Sequence, residues 1–336
     1  MTFPKLWFSL VPCTSNPLAP GLLDPGHYLQ EMWCTSPYRT ILHLQTFSKD
    51  VSDPGTVVGI KGVQSGPGRA QSSCPSSGAC PLILSVQVRG EQIKMTMEYD
   101  AFDDQYKGCE NEMDLEASRL LEHEMRENEL LQLSWVEARE KWQNGTKEKV
   151  SPLPSGFKDE YGIAVVMYTN DKIHLDFNRA VRTNGTSLKN YKSNFQYKAV
   201  HFYLTRALQL LPKVKYTMQL FRGSKEEFTH RGMGPMRLGR FGSTSQNRSV
   251  SEEFGTCTFY TIYTCLGVDI QKFSFDEGQR EVLIPVNEVF TITPGNERGH
   301  FILNSKKTLA CFNCAYRGSE LVCNILGLVL EGNSLG

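Results

Sequence analysis

The chain predicts an α+β fold, on three observations. Helical periodicity dominates residues 101–212, and strand-like runs separated by turn residues dominate 213–318. Helices gathered first and strands second define the α+β class, a helical N-terminal part packed on a β core. The composition, 40% apolar and 21% charged over 336 residues, is that of a globular protein able to bury a sizeable core.

Residues 1–94 are rich in Pro, Gly and Ser, as in Ser65–Ser77 with its Gly66-Pro67-Gly68, and carry no sustained period. They read as a disordered or mispredicted leader, with a small disulfide module as the alternative. Order is expected from Met95. Leu120, Leu121, Met125, Leu130, Leu131, Trp135 and Trp142 recur near every 3.6 residues among Glu and Lys, which predicts a helix over Asn111–Asn144. Pro152 and Pro154 end that pattern. Tyr161–Tyr168 is a continuous apolar run, equally readable as strand or helix. Ile173–Val181 reads as a short helix and Phe195–Leu211 as a strongly amphipathic one, stopped by Pro212. His201, on the apolar face of the latter, is expected to be a packed residue and not a catalytic one. Strands are expected over Tyr216–Phe221, Thr258–Cys265, Glu281–Pro285, Glu288–Thr293 and His300–Asn304, all rich in Val, Ile, Thr, Phe and Tyr. Ile325–Leu330 and Glu331–Gly336 remain as a short tail.

Lys+Arg and Asp+Glu balance at 36 each, so nothing in the charge points to a nucleic acid or an anionic membrane. Of ten cysteines, Cys311 and Cys314 form a CxxC pair, but no second pair and no His cluster completes a metal site. Disulfides in an oxidising compartment are the better reading, and sequons at Asn144, Asn184 and Asn247 agree. The apolar run Leu6–Val11 is short for a signal peptide, and Ile325–Leu330 is short for a lipid-anchor tail. No stretch reaches the roughly 20 apolar residues needed to span a bilayer. A secreted or extracellular protein is expected.

Three segments could carry chemistry. Arg222, in Phe221-Arg222-Gly223 at a strand end, offers a fixed charge and a planar fork suited to phosphate, and Gly223 beside it would let a ligand approach the backbone. Arg240-Phe241-Gly242-Ser243-Thr244-Ser245 supplies hydroxyls that can bond a ligand or orient a carboxylate. In Gln279-Arg280-Glu281-Val282-Leu283-Ile284-Pro285, strand alternation would set Gln279 and Glu281 on one side. A carboxylate on so apolar a strand is costly unless paired or placed in a site. Alone, each segment has an ordinary structural explanation.

In this order, they resemble the vertebrate ecto-mono-ADP-ribosyltransferases, the arginine-type family with an R-S-E active site, closest in character to its secreted member. The resemblance runs from about Ala101 to Tyr316. Its other marks are Phe102-Asp103-Asp104-Gln105-Tyr106 before Cys109, Gly162-Ile163-Ala164 with Tyr168-Thr169, Lys198–Leu211, Tyr263–Gly267 and Asn313-Cys314-Ala315-Tyr316. It implies a transferase domain over 95–324, with two β-sheets whose cleft holds NAD+ as a substrate and no metal. It implies that Arg222 and Gly223 contact NAD+, that Ser243 braces the nicotinamide ribose and the catalytic carboxylate, and that Glu281 is that carboxylate. The acceptor would be a protein side chain or a small guanidine compound.

Two departures matter. Arginine-specific members carry Glu-x-Glu, whereas Gln279 stands at the first position here, and an amide cannot act as a general base. NAD+ cleavage is therefore expected to survive and transfer to arginine to be impaired, although Arg280 and Glu277 could compensate in part. An NAD+ glycohydrolase is the alternative, and a non-enzymatic binding protein on the same fold a second, against which the intact Arg222, Ser243 and Glu281 argue. The family also implies a Cys109–Cys314 disulfide, and a partner for Cys265 that Leu211–Phe221 does not supply. Cys257 is about 26 Å away along a strand, beyond disulfide reach. Cys265 is thus expected to be free and buried, and Cys311 with Cys323 to form an extra bridge.

Overall fold

A computed structural model of the chain describes residues 92–230 and 234–318. Residues 1–91 of the expected leader, the tail 325–336 and Cys323 lie outside the described residues. The first described strand, β1 (Ile93–Lys94), begins just before the expected start of order and pairs in parallel with β3 (Phe228–Thr229).

The helix expected over Asn111–Asn144 is two helices, α1 (Glu110–Glu127) and α2 (Glu129–Lys141). Asn128 separates them. Its backbone is extended, and its side chain accepts from Leu131 N at 3.0 Å, capping α2. An irregular turn over Trp142–Thr146 leads into α3 (Lys147–Lys149), with Gly145 at φ 111°. The ambiguous run is a helix, α4 (Asp159–Tyr168), in which every residue from Tyr161 to Tyr168 is buried. It was unreadable by periodicity because it has no polar face. Within it, a Cβ at Gly162 would lie 2.3 Å from the buried Trp142 ring, so glycine is what lets α4 seat there.

Helices α5 (His174–Thr183), α6 (Leu188–Asn194) and α7 (Lys198–Leu210) complete the helical part. The buried Glu124 of α1 accepts from Lys198 N at 2.6 Å and Ala199 N at 3.1 Å, satisfying the free donors at the start of α7. His201 is packed, as expected. The Phe102 carbonyl can only accept, so Nε2 donates to it at 3.1 Å, and Nδ1 accepts from Tyr106 Oη at 2.7 Å. Burial holds its pKa down to about 3, and the ring stays neutral.

The strands are β2 (Leu220–Ser224), β3, β4 (Gly234–Met236), β5 (Gly242–Ser245), then, after helix α8 (Arg248–Glu253), β6 (Thr258–Tyr263), β7 (Val268–Asp269), β8 (Glu281–Ile284), β9 (Glu288–Pro294) and β10 (His300–Thr308). The expected strand Tyr216–Phe221 contributes only its last two residues, since Met218 N donates back to Lys215 O in a turn. Eight strands run in the order β4-β9-β10-β6-β2-β5-β8-β7. The two sheets implied by the resemblance are joined here, but barely: β2 and β5 share a single residue pair, Phe221 with Ser245. On β8, Val282 and Ile284 join a core with Leu220, Ile262 and Phe290, while Leu283 joins the helical core with Phe241 and Tyr168. By alternation, Glu281 shares the face of Leu283 and looks toward the helices.

The segment Phe102–Tyr106 clamps residues 311–315 to the start of the helical part. Asp103 accepts from Cys311 N and Phe312 N at 2.8 and 3.0 Å, and Asp104 from Cys314 N and Ala315 N at 2.9 and 2.7 Å. Asp103 also pairs with Arg237, both side chains fully buried, while Arg237 donates to the carbonyls of Met97, Glu98 and Leu309. The Cys109–Cys314 disulfide is present beside this clamp. Cys265 is not free: it is disulfide-bonded, as is Cys311, and the free thiol among the described cysteines is Cys257. The expectation rested on the absence of a cysteine from Leu211–Phe221 and on the distance to Cys257, and neither excludes a partner elsewhere in the chain. Among the described residues no helix is long and apolar enough to cross a membrane.

Candidate active site

Where β2 and β5 part after their one shared pair, Arg222 of β2 spans the gap. Its Nη1 donates to the Ser243 carbonyl at 2.5 Å. Strand β5 pairs antiparallel with β8, with Ser243 opposite Leu283 and Ser245 opposite Glu281. Ser243 and Glu281 are therefore diagonal neighbours on one face. That places the Ser243 side chain beside the Glu281 carboxylate, whose charged form it favours. Three of the residues singled out from sequence, Arg222, Ser243 and Glu281, thus meet at one point.

Glu281 is buried, and that burial lifts its carboxyl to about 7, against the opposing pull of Ser243 and Arg222; Asp171 raises it a little more. A carboxylate so placed is half-ionised near neutrality, with a cationic fork beside it.

Gln279 is arranged differently from the expectation. It ends a 3-10 turn, Glu277–Gln279, and Arg280 follows in the left-handed region at φ 48° and ψ 48°. The strand begins only at Glu281, so alternation does not relate the two side chains. What fixes Gln279 is its backbone: its carbonyl accepts from Ser245 Oγ at 2.7 Å. Glu277, a possible substitute carboxylate, is exposed and paired with Lys149. Gly223 also differs. A Cβ there would lie 2.2 Å from the carbonyls of Ser251 and Gly255, so the space beside it holds protein and lets α8 pack on β2.

Other groups at the site went unassigned in the sequence. Tyr168, at the end of α4, places its hydroxyl 3.1 Å from Ser243 Oγ and donates to Phe241 O at 3.0 Å. Asn178, from α5, donates to that hydroxyl at 2.8 Å. Arg182 lies one helical turn beyond Asn178 on the same face of α5. Arg240 precedes β5, and no hydrogen bond or ion pair reaches it from the described residues, although it is mostly shielded from solvent. Burial, with Arg222 and Arg182 nearby, brings its pKa down to about 10. Tyr168 closing an otherwise apolar helix, and Arg240 opening a hydroxyl-rich strand, were the available signals.

Arg222 and Arg240 thus lie near a buried carboxylate with a serine diagonal to it, an arrangement whose chemistry suits an anionic substrate and a developing positive charge. The chain belongs to the NAD:arginine ADP-ribosyltransferase family, whose model matches residues 95–310. It is 41% identical over 241 residues to ecto-ADP-ribosyltransferase 5 of Rattus norvegicus, covering 68% of this chain and 78% of the relative. It is 41% identical over 238 residues to T-cell ecto-ADP-ribosyltransferase 1 of the same species, covering 69% and 84%. The crystal structure of the eucaryotic mono-ADP-ribosyltransferase ART2.2 is 39% identical, with a TM-score of 0.60, covering 67% of this chain and 99% of that one. A mutant of ART2.2 in complex with NADH matches with a TM-score of 0.61 at 40% identity.

Proposed function

We propose that this protein cleaves NAD+ at the nicotinamide–ribose bond and passes ADP-ribose to an extracellular acceptor, with Glu281 as the catalytic carboxylate. The observation that carries this reading is the buried Glu281, diagonal to Ser243 across the strand pair, with Arg222 bonded to the Ser243 carbonyl. As the bond to nicotinamide breaks, positive charge builds on the ribose in an oxocarbenium-like state. A fixed carboxylate in a shielded cleft stabilises that charge, as in glycoside cleavage. Nicotinamide leaves as a neutral base, so no strong general acid is needed.

Arg222 holds a phosphate of NAD+, and Arg240, which pairs with no described residue, holds another. Ser243 braces the nicotinamide ribose and directs a hydrogen bond to Glu281. Below about pH 7 Glu281 takes up a proton and this stabilisation fades, so cleavage rises as pH passes upward through that value.

Gln279 favours a second outcome. No carboxylate stands at the position from which an acceptor guanidinium could be deprotonated, and Glu277 is engaged by Lys149. Water then competes with arginine, and NAD+ hydrolysis takes a large share of turnover. The exposed sequon Asn144 suits a glycosylated, secreted protein.

The test is nicotinamide release from NAD+ by the full chain and by Glu281→Ala. Release by the parent and a loss of at least a hundredfold in the variant are expected. Equal rates in the two would reject Glu281, and no release from a folded parent would leave the non-enzymatic reading.

A further inference from the structure

The hydroxyl of Tyr168 has one proton and two acceptors, the Phe241 carbonyl at 3.0 Å and Ser243 Oγ at 3.1 Å. Its oxygen meanwhile accepts from Asn178 Nδ2 at 2.8 Å. One proton cannot serve both acceptors, so its direction depends on Ser243. Ser243 in turn is the diagonal cross-strand neighbour of Glu281 on the same face.

The two ionisation states of Glu281 demand opposite arrangements. An ionised Glu281 can only accept, so the Ser243 hydroxyl donates to it, and Ser243 Oγ is left to accept the Tyr168 proton. A protonated Glu281 can donate to Ser243 Oγ. Ser243 then donates to the Tyr168 oxygen, and the Tyr168 proton turns to the Phe241 carbonyl. No bond to carbon changes; the Ser243 and Tyr168 hydrogens rotate, and the carboxyl proton comes from solvent. Asn178 donates in both states and keeps the phenol oxygen in place.

We propose that Tyr168, held by Asn178, is a positioning residue that points the Ser243 hydroxyl at Glu281 and so favours the carboxylate form. It acts on Glu281 through Ser243. The inference rests on the reading of Glu281 given above. The charged groups that act on Glu281 are Arg222 from β2 and Asp171 from the turn after α4, and neither is bonded to the Tyr168 hydroxyl. The ring of Tyr168 packs on Phe177 and Phe241, contacts that phenylalanine preserves.

The test compares Tyr168→Phe, Ser243→Ala and the double variant in the full chain. Two readouts are taken: the pH dependence of kcat/KM for nicotinamide release, and the titration of the Glu281 carboxyl carbon by 13C NMR without ligand. Tyr168→Phe should move the midpoint up by about one pH unit, the effect of losing a hydrogen bond that supports a charge. At pH 7 kcat/KM then falls about fivefold, and above pH 9 it approaches the parental value. The Kd for NAD+ should stay within about twofold. In the Ser243→Ala background, Tyr168→Phe should add no further shift. Asn178→Leu, which keeps the phenol but frees it, should shift the midpoint the same way. An unmoved midpoint, or an equal shift with and without Ser243, would overturn the relay. Failure of Glu281 as the catalytic group would show separately, as undiminished release from Glu281→Ala, with the NMR titration still deciding the role of Tyr168.

Discussion

Replacing Glu281 by Gln should make the protein more stable at neutral and alkaline pH while abolishing its activity. In the folded protein the Glu281 carboxyl is raised from 4.5 to about 7, chiefly by burial. A carboxyl whose folded pKa is raised binds its proton more tightly when folded. Its contribution to stability is therefore full below about pH 4.5 and is lost as pH climbs through about 7. A displacement of that size corresponds to about 3 kcal/mol. Glu281→Gln has the same shape but no charge to desolvate, so it escapes the loss. Urea denaturation at pH 4.5 and pH 8, parent beside variant, reads the effect. Glu124 and Asp104 are also raised by burial, to about 7 and about 6, and would move the parent's absolute stability. They are common to both proteins and cancel in the difference. The variant should equal the parent at pH 4.5 and exceed it by about 2–3 kcal/mol at pH 8. A difference independent of pH would refute the view that Glu281 is held in a hostile environment for the sake of chemistry.

Arg240→Gln should raise the Kd for NAD+ by about tenfold to a hundredfold in calorimetry, the loss of one charge-assisted hydrogen bond; an unchanged Kd would remove Arg240 from the phosphate site. Asp103→Asn should cost about 3–5 kcal/mol in chemical denaturation, because it leaves the fully buried Arg237 without its counter-charge; a loss under about 1 kcal/mol would contradict the clamp. Cys109→Ser opens a loop with a sequence separation of 205 and should cost up to about 5 kcal/mol, seen as a large fall in Tm. A variant as stable as the parent would show that the hydrogen bonds of Asp103 and Asp104 alone hold residues 311–315 in place.

The amphipathic helix Lys198–Leu210 and the strands from Thr258 onward were legible because one of their faces is polar or their β-branched content is high. Helix α4 was not, since it is buried all round and gives no period. The break at Asn128 was hidden for a different reason. Asn is a tolerable helix residue, and only its cap to Leu131 N reveals the interruption. At the site, Arg222, Ser243 and Glu281 were found as separate segments, yet their meeting depends on long-range pairing of β2, β5 and β8 that local pattern cannot encode. Gln279 was misplaced because alternation was extended two residues beyond the strand, across a left-handed Arg280. Asp103 and Asp104 look like surface carboxylates in sequence, and their burial follows only from the backbone donors of residues 311–315.

The most direct test of the account is the ratio of ADP-ribosyl-agmatine formed to nicotinamide released, in the full chain and in Gln279→Glu. Glu281 should drive cleavage in both, while only the variant has a carboxylate to deprotonate the guanidinium. The parent should release nicotinamide with little agmatine labelling, and the ratio should rise at least tenfold in Gln279→Glu. Efficient agmatine labelling by the parent, with no gain in the variant, would contradict the division of roles between Gln279 and Glu281.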